Sequence, residues 1–329
     1  MRLRSVVSVL LCLVANAGVA KTLYKYQDAQ GNWHYTDKQP VNGDKFEVRQ
    51  LVETRQLKPA RQQRVWLEKT GDNASQEFYV INKYPGQVEV EISWNKQDNV
   101  LATPDLPRRF VVGPGQSAPL FKVTLAAQGP AASYSLQERY VVGPPLLNYS
   151  SDVLYVPPIP ANTQFQITQG FGGQFSHTDV QNRYAVDINM PVDTGVYAAR
   201  GGIVMEVEED NFQSGVEQSF ASKANSIRIL HADGSMAVYA HLALEKALVA
   251  PGVKVETGQL IAYSGNTGFS TGPHLHFAVQ INRGMELVAT PFKFADVHNK
   301  PLEVQEGLWL NGYTPNAGHK QGQVGKNQN

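Results

Sequence analysis

His274 and His276 stand two residues apart on either side of Leu275. In a β-strand that spacing sends both imidazoles from one face and turns Leu275 and Phe277 to the other. Residues 184–188, YAVDI, alternate in the same way, with Ala185 and Asp187 on one side and Val186 and Ile188 on the other. Tyr239 and His241 repeat the spacing and are expected to share a face of a third strand. His177 lies upstream in the same glycine-rich part of the chain. Three strands of one sheet would thus carry imidazole and carboxylate groups to a common concavity. That chemistry suits zinc. A catalytic zinc takes three protein ligands, two imidazoles and a carboxylate among the normal sets, and keeps a fourth position for water or substrate. Such a set cancels one of the ion's two charges, so the metal stays a Lewis acid able to polarise a carbonyl and acidify bound water.

Rival chemistries find less in the chain. There is no His-Glu-x-x-His for a helix-borne metalloprotease, and a serine nucleophile elbow is not expected. The glycines of residues 265–272 lack the lysine and the strand-loop-helix context of a phosphate loop, and are expected to form a tight wall that lets an extended peptide approach the backbone. His34, His231, His298 and His319 read as structural or surface histidines.

The elements that must position the site lie behind a targeting segment. Residues 1–20 read as a secretory signal peptide: Arg2 and Arg4, an apolar run over residues 6–14, then Gly18 and Ala20, small enough for cleavage after Ala20. The apolar run is shorter than the roughly 20 residues of a membrane-spanning helix, so no stable transmembrane segment is expected after cleavage. The single cysteine, Cys12, would leave with the signal, and the cut chain would have no disulfide, thiolate nucleophile or cysteine ligand. Hydrophobic cores must then hold it together, and 329 residues permit two or three. The formal charge is zero and falls to minus two when Arg2 and Arg4 are lost, so electrostatics points to no nucleic-acid partner.

The remaining chain divides by pattern, and the fold class expected is mainly β and multidomain. Residues 21–45 read as a small β-hairpin module turning at residues 28–31. Residues 46–73, rich in Arg, Gln, Lys and Glu, read as linker or irregular structure. Residues 74–158 hold short apolar runs punctuated by Pro-Gly, clearest in Val88, Val90 and Ile92, and suggest an immunoglobulin-like β-sandwich that serves as spacer, substrate-positioning unit or docking surface for envelope proteins. Residues 159–310 suggest an antiparallel-sheet domain with long loops, a hairpin at Asp233-Gly234 and one or two helical turns over residues 242–247. Residues 311–329 are polar and expected to be largely disordered.

Four runs carry a resemblance: FGGQFSH at residues 171–177, YAVDINMPVDTGVYAARGGIV at 184–204, YAHL at 239–242 and GNTGFSTGPHLHFAV at 265–279. In this order they resemble the M23 zinc metallopeptidases, the lysostaphin- and LytM-like enzymes that cut peptide bonds in bacterial peptidoglycan. The resemblance implies one zinc ion per catalytic domain, with His177, Asp187 and His276 as its ligands. It makes His274 and His241 the catalytic histidines beside the metal, without saying which of them moves which proton. Nine residues separate His177 from Asp187, a longer gap than in the simplest family members, and Asp179 is a rival ligand within it. Residues 21–40 separately resemble a small N-terminal module of bacterial envelope proteins (DUF4124-like). Together the resemblances imply a zinc endopeptidase in the periplasm of a Gram-negative bacterium, or secreted, acting on peptidoglycan peptide stems or cross-links. The alternative is a catalytically silent M23-like adaptor that activates a cell-wall amidase or docks in an envelope assembly.

Overall fold

A computed structural model describes residues 20–27, 33–36, 39, 46–52, 63–127, 131–150 and 152–313. The expected signal segment up to residue 19, the turn at residues 28–32 and the tail from residue 314 lie outside the described residues. The protein is mainly β, and no described helix is long and apolar enough to cross a membrane.

At the N-terminus β1 (Ala20–Gln27) pairs antiparallel with β2 (Trp33–Thr36), as the alternation of aromatic residues predicts. Its other edge takes β3 (Phe46–Val52), and Tyr24 meets Phe46 edge to face at 5.4 Å. Among residues 46–73, the described parts are therefore largely strand rather than irregular linker. They supply β3 and also β4 (Val65–Gly71), an edge strand of the next sheet in which only Val65 is buried. Edge strands carry charged side chains as protection against further pairing, and that composition masked both strands in the sequence.

The middle region continues with β5 (Ser75–Asn82), β6 (Val88–Asp98), β7 (Val100–Thr103), β8 (Arg108–Val112), β9 (Gly115–Gln116), β10 (Phe121–Leu125) and β11 (Ser133–Val142). One sheet runs β4-β5-β10-β7 with β9 on β5, and the other runs β11-β6-β8. Phe78, Val80 and Val123 of the first face Val88, Val90 and Ile92 of the second in one core, giving the expected sandwich. Glu89, on the opposite face of β6, is buried as well, because the C-terminal domain covers it.

That domain contains β12 (Leu154–Tyr155), β13 (Gln164–Gln169), β14 (Val186–Ile188), β15 (Gly195–Tyr197), β16 (Gly202–Glu208), β17 (Ser214–Gly215), β18 (Ser226–Leu230), β19 (Met236–Ala240), β20 (Lys254–Val255), β21 (Leu260–Tyr263), β22 (Gly268–Phe269), β23 (Leu275–Asn282), β24 (Leu287–Ala289), β25 (Lys293–Ala295), β26 (Pro301–Leu302) and β27 (Trp309–Asn311). Its main sheet is antiparallel, in the order β20-β16-β18-β19-β23-β14-β13-β27, with β24 also on β23. One face buries Val186, Ile188, Ile227, Tyr239, Leu275 and Phe277 in a second core. All eight residues of β23 are buried, so its other face is covered too. Residues 242–247 form a turn with a bridge from Leu242 to Ser264 instead of the helical turns expected, and the only helix among the described residues is a 3-10 turn at Gln218–Lys223. The order also extends past the expected end of the domain, since Asn311 pairs with Gln164.

Register shows how the two domains meet. Met236 and Ala240 of β19 lie opposite Gln280 and His276 of β23, so all four residues share a face. Met236, with Met205 of β16, inserts into the sandwich core. Gly86 permits this approach, because a Cβ there would lie 2.6 Å from the Met205 sulfur. Asn282 Nδ2 and the Met285 amide each donate to Glu89 Oε2 at 2.8 Å. The sandwich thus caps the far half of the sheet face whose near half carries His276.

Candidate metal centre

Asp187 on β14 and His276 on β23 are direct partners across antiparallel strands, and their common face is opposite the one on which Val186, Ile188, Leu275 and Phe277 enter the core. The alternation read from the sequence therefore holds on both strands. His177 comes from the turn after Gly173, where its amide donates to the Gly173 carbonyl. One candidate ligand atom each from His177, Asp187 and His276 lies within 4.8 Å of the others, and all three residues are buried.

His241 reaches the site by a different route from the one expected. By alternation it would follow Tyr239, which is wholly buried against Phe277 in the core. Instead β19 ends at Ala240 and His241 takes a left-handed backbone, φ 62°, which turns its ring to the opposite side. There it lies 4.4 Å from the His274 ring and 5.8 Å from the His276 ring. His274 precedes β23, bridges to Gly265, and brings Nε2 to 3.7 Å from Asp187 Oδ1.

Hydrogen bonds to groups that can only accept fix the imidazole tautomers. His177 Nδ1 donates to the Gly170 carbonyl at 2.9 Å, leaving Nε2 to face Asp187 Oδ1 at 3.2 Å. His276 Nε2 donates to Asn182 Oδ1 at 3.2 Å, leaving Nδ1 to face the same carboxylate oxygen at 3.0 Å. Two nitrogen lone pairs and a carboxylate oxygen thus converge with no hydrogen between them unless the rings are protonated. A shared cation resolves that repulsion, and the two nitrogen–oxygen spacings are close to the roughly 3.3 Å expected between ligands at bonds of about 2 Å to zinc. The donor set and its arrangement fit the metal.

Without a cation, protonation of the rings relieves the same repulsion by turning the lone pairs into hydrogen bonds to Asp187. Burial opposes ionisation of Asp187, but hydrogen bonds from His177 and His276 outweigh it and hold the carboxyl far below its ordinary range. Burial also disfavours the charged form of His177, yet the hydrogen bond and charge of Asp187 raise its pKa above the ordinary imidazole value. His241 is pushed down to about 3 by burial and by the neighbouring His274 and His276. Burial lowers His274 as well. Both are neutral near pH 7. His241 Nδ1 donates to the Thr267 carbonyl at 2.6 Å and His274 Nδ1 to the Gly272 carbonyl at 2.8 Å, so each keeps Nε2 as a basic nitrogen.

Several supporting groups went unrecognised in the sequence. Gln169 Nε2 donates to Asp187 Oδ2 at 2.9 Å and to Ser176 Oγ. Asn182 belongs to the long stretch between His177 and Asp187, and that length was the only available signal for it. Asp179, the rival ligand, is exposed. Its carboxylate accepts the Gln181 and Asn182 amides and the Asn182 side chain at 2.8 Å. Among the other histidines, His231 is buried with Nδ1 on the Gly201 carbonyl and His298 is exposed, while His34 and His319 have no described side chains.

An open cleft of about 390 Å³ adjoins the cluster, lined by Thr168, Asn189, Phe175, Phe269, Gly272 and His274 among others. Phe175 and Phe269 stack at 5.5 Å on its wall. Of the glycines expected to form a wall for an extended peptide, only Gly272 meets open space. Gly265 and Gly268 are pressed against the protein's own backbone at Ala243 and Ala224, where a Cβ would lie 2.6 Å from the nearest atoms. Residues 268–272 do spell Gly-x-Ser-x-Gly, a match that the expectation of no serine elbow passed over. It is not a nucleophile elbow. The Ser270 hydroxyl lies 2.7 Å from Asn266 Oδ1 and 2.8 Å from the Gly272 carbonyl, no helix follows, and the His274 nitrogen 3.3 Å away already carries a hydrogen.

Residues 181–287 match the model of peptidase family M23, which covers Asp187, His241, His274 and His276 but begins after His177, and residues 10–65 match the domain of unknown function DUF4124. The chain is 34% identical over 122 residues to the peptidoglycan DD-endopeptidase ShyA of Vibrio cholerae, covering 36% of this chain and 25% of that one. It is 37% identical over 101 residues to the glycyl-glycine endopeptidase ALE-1 of Staphylococcus capitis, covering 31% and 25%. It thus spans about a quarter of the length of these relatives. Among solved structures, LytU shares 30% identity over 39% of this chain and 81% of its own, with a TM-score of 0.31. The C-terminal domain is thus homologous to the lysostaphin- and LytM-like peptidases of family M23, and an N-terminal segment is DUF4124-like.

Proposed function

We propose that the protein is a zinc-dependent endopeptidase that hydrolyses peptide cross-links of bacterial peptidoglycan. The observation that carries this reading is the convergence of two imidazole lone pairs and a buried carboxylate, with two further neutral histidines beside them. His177, Asp187 and His276 would hold one zinc ion. When bound, that ion supplies Lewis acidity to a substrate carbonyl and to the attacking water.

The chain's own residues would perform the proton work. His241 and His274 each keep Nε2 unprotonated near neutral pH, so either can take a proton as the water attacks and return it to the departing amine. Between those two transfers the protonated ring can donate to the oxyanion. Their Nδ1 hydrogens, committed to backbone carbonyls, hold both rings in place through the cycle. The stacked Phe175 and Phe269 and the open surface at Gly272 would receive an extended peptide.

Substrate class rests on kinship with the peptidoglycan endopeptidases named above. In a periplasmic enzyme, cross-links containing D-alanine and diaminopimelate are the expected targets, ahead of pentaglycine bridges. Export by residues 1–20, periplasmic residence, a domain limit near residue 159, and docking of envelope proteins on the middle domain are parts of the same proposal. A silent adaptor would be free to lose its catalytic side chains, whereas this chain keeps all five. Digestion of intact sacculi followed by mass analysis of the muropeptides tests the assignment. Cross-linked dimers should fall to monomers with new peptide termini, and an unchanged dimer fraction at full zinc occupancy would refute it.

A further inference from the structure

A chain of hydrogen bonds crosses the sheet from the sandwich to His276. The Tyr84 hydroxyl donates to Glu206 Oε1 at 3.1 Å, and Arg228 Nε donates to Glu206 Oε2 at 2.8 Å. Arg228 Nη1 donates to Gln280 Oε1 at 2.7 Å, and Gln280 Nε2 donates to the Gln181 carbonyl at 2.9 Å. The next residue, Asn182, accepts the His276 Nε2 hydrogen at 3.2 Å. Register makes the row possible. Glu206 lies opposite Arg228 and Arg228 opposite Val238, so these residues share the sheet face of Ala278, Gln280 and His276.

Each link is directional. Gln280 accepts through oxygen and donates through nitrogen, so its amide has one orientation. Asn182 is fixed in the same way, since its Nδ2 donates to Asp179 Oδ2 while its oxygen faces His276. Gln280 and Tyr84 are 3% and 6% exposed, which leaves water little room to replace a lost partner, and an unpaired buried group is costly.

We propose that Asn182 is a positioning residue for the metal-binding nitrogen of His276, and that the row from Tyr84 makes the middle domain part of what holds it. This rests on the reading of His177, Asp187 and His276 as zinc ligands. A ligand histidine is oriented by the acceptor on its other nitrogen, and loss of such a partner weakens metal binding about 10-fold to 100-fold. Residues 178–183 supply that acceptor here, with Asp179 bracing Asn182 and Gln280 pinning the backbone between them. The middle domain, expected to be a spacer, a substrate-positioning unit or a docking surface, holds the far end of the row.

The test is zinc affinity of the full chain, stripped of metal and titrated against a competing chelator, with the visible spectrum of the cobalt-loaded protein as a report on ligand geometry. Asn182→Ala should weaken zinc binding about 10-fold or more and alter the cobalt spectrum. Arg228→Met and Tyr84→Phe should weaken it in the same direction, the first by at least about threefold, and neither should add to the loss in an Asn182→Ala background. Tyr84→Phe removes one oxygen and keeps the packing, so its result does not depend on a folding defect. Wild-type affinity in Asn182→Ala, wild-type affinity in both other variants, or losses that multiply would each overturn the proposal. Failure of the underlying reading looks different: the wild-type chain would take up no zinc, or His276→Ala would bind it normally, and the proposal would fall with it.

Discussion

At the residue scale, the five site side chains divide by the atom each one leaves uncommitted. His177 and His276 turn lone pairs to Asp187, whereas His241 and His274 spend Nδ1 on carbonyls and keep Nε2 for the reaction. Replacement should separate the two groups. His276→Ala should abolish zinc binding and activity together. His274→Ala should retain most of the metal and lose about 100-fold to 10,000-fold in turnover, as expected for a missing acid-base group. Zinc content by mass spectrometry beside turnover on a cross-linked muropeptide checks both. The pair His274 and His276 and the carboxylate of Asp187 were legible in the sequence because alternation along a strand is a local rule. Asn182 and Gln169 were not, because their importance comes from partners 94 and 18 residues away.

At the element scale, the position of His241 depends on where β19 stops. Strand alternation alone would bury it beside Tyr239, and only a positive φ at residue 241 brings it to the site. No propensity in the run YAHL announces that turn. The central strand β23 was readable, and so is its weak point: Phe277 is fully buried among Tyr155, Tyr239, Phe292 and Phe294, so Phe277→Ala should cost about 3–5 kcal/mol in denaturant unfolding. His231 gives β18 and its hairpin a pH dependence. Burial lowers its pKa from 6.5 to about 4, and its Nε2 is buried without a partner. The unfolded chain therefore takes up the proton first. Stability from this group is complete above pH 6.5, declines as pH falls, and is lost below about pH 4, a change of about 3 kcal/mol. Chemical denaturation of the wild type and His231→Gln across that range should show the slope flatten in the variant.

At the scale of the whole molecule, the sandwich and the catalytic sheet share buried surface. Met205 and Met236 complete the sandwich core, and Glu89 draws two hydrogen bonds from the β23–β24 turn. Asn282→Ala leaves Glu89 Oε2 with the Met285 amide as its remaining partner among these bonds, and should destabilise the protein by about 1–3 kcal/mol. Both domains should register the loss in denaturant unfolding followed by probes in each. The sandwich was legible from the alternation of Val88, Val90 and Ile92, but its attachment was not. Glu89 reads in sequence as a solvent-facing charge, and only the tertiary arrangement makes it an anchor.

The most direct measurement combines metal content with action on sacculi. Zinc-dependent cleavage of cross-links predicts one zinc per chain, release of monomeric muropeptides, loss of that release on chelation and its return with added zinc. Undiminished cleavage in the chelated protein, or intact cross-links at full zinc occupancy, would contradict it.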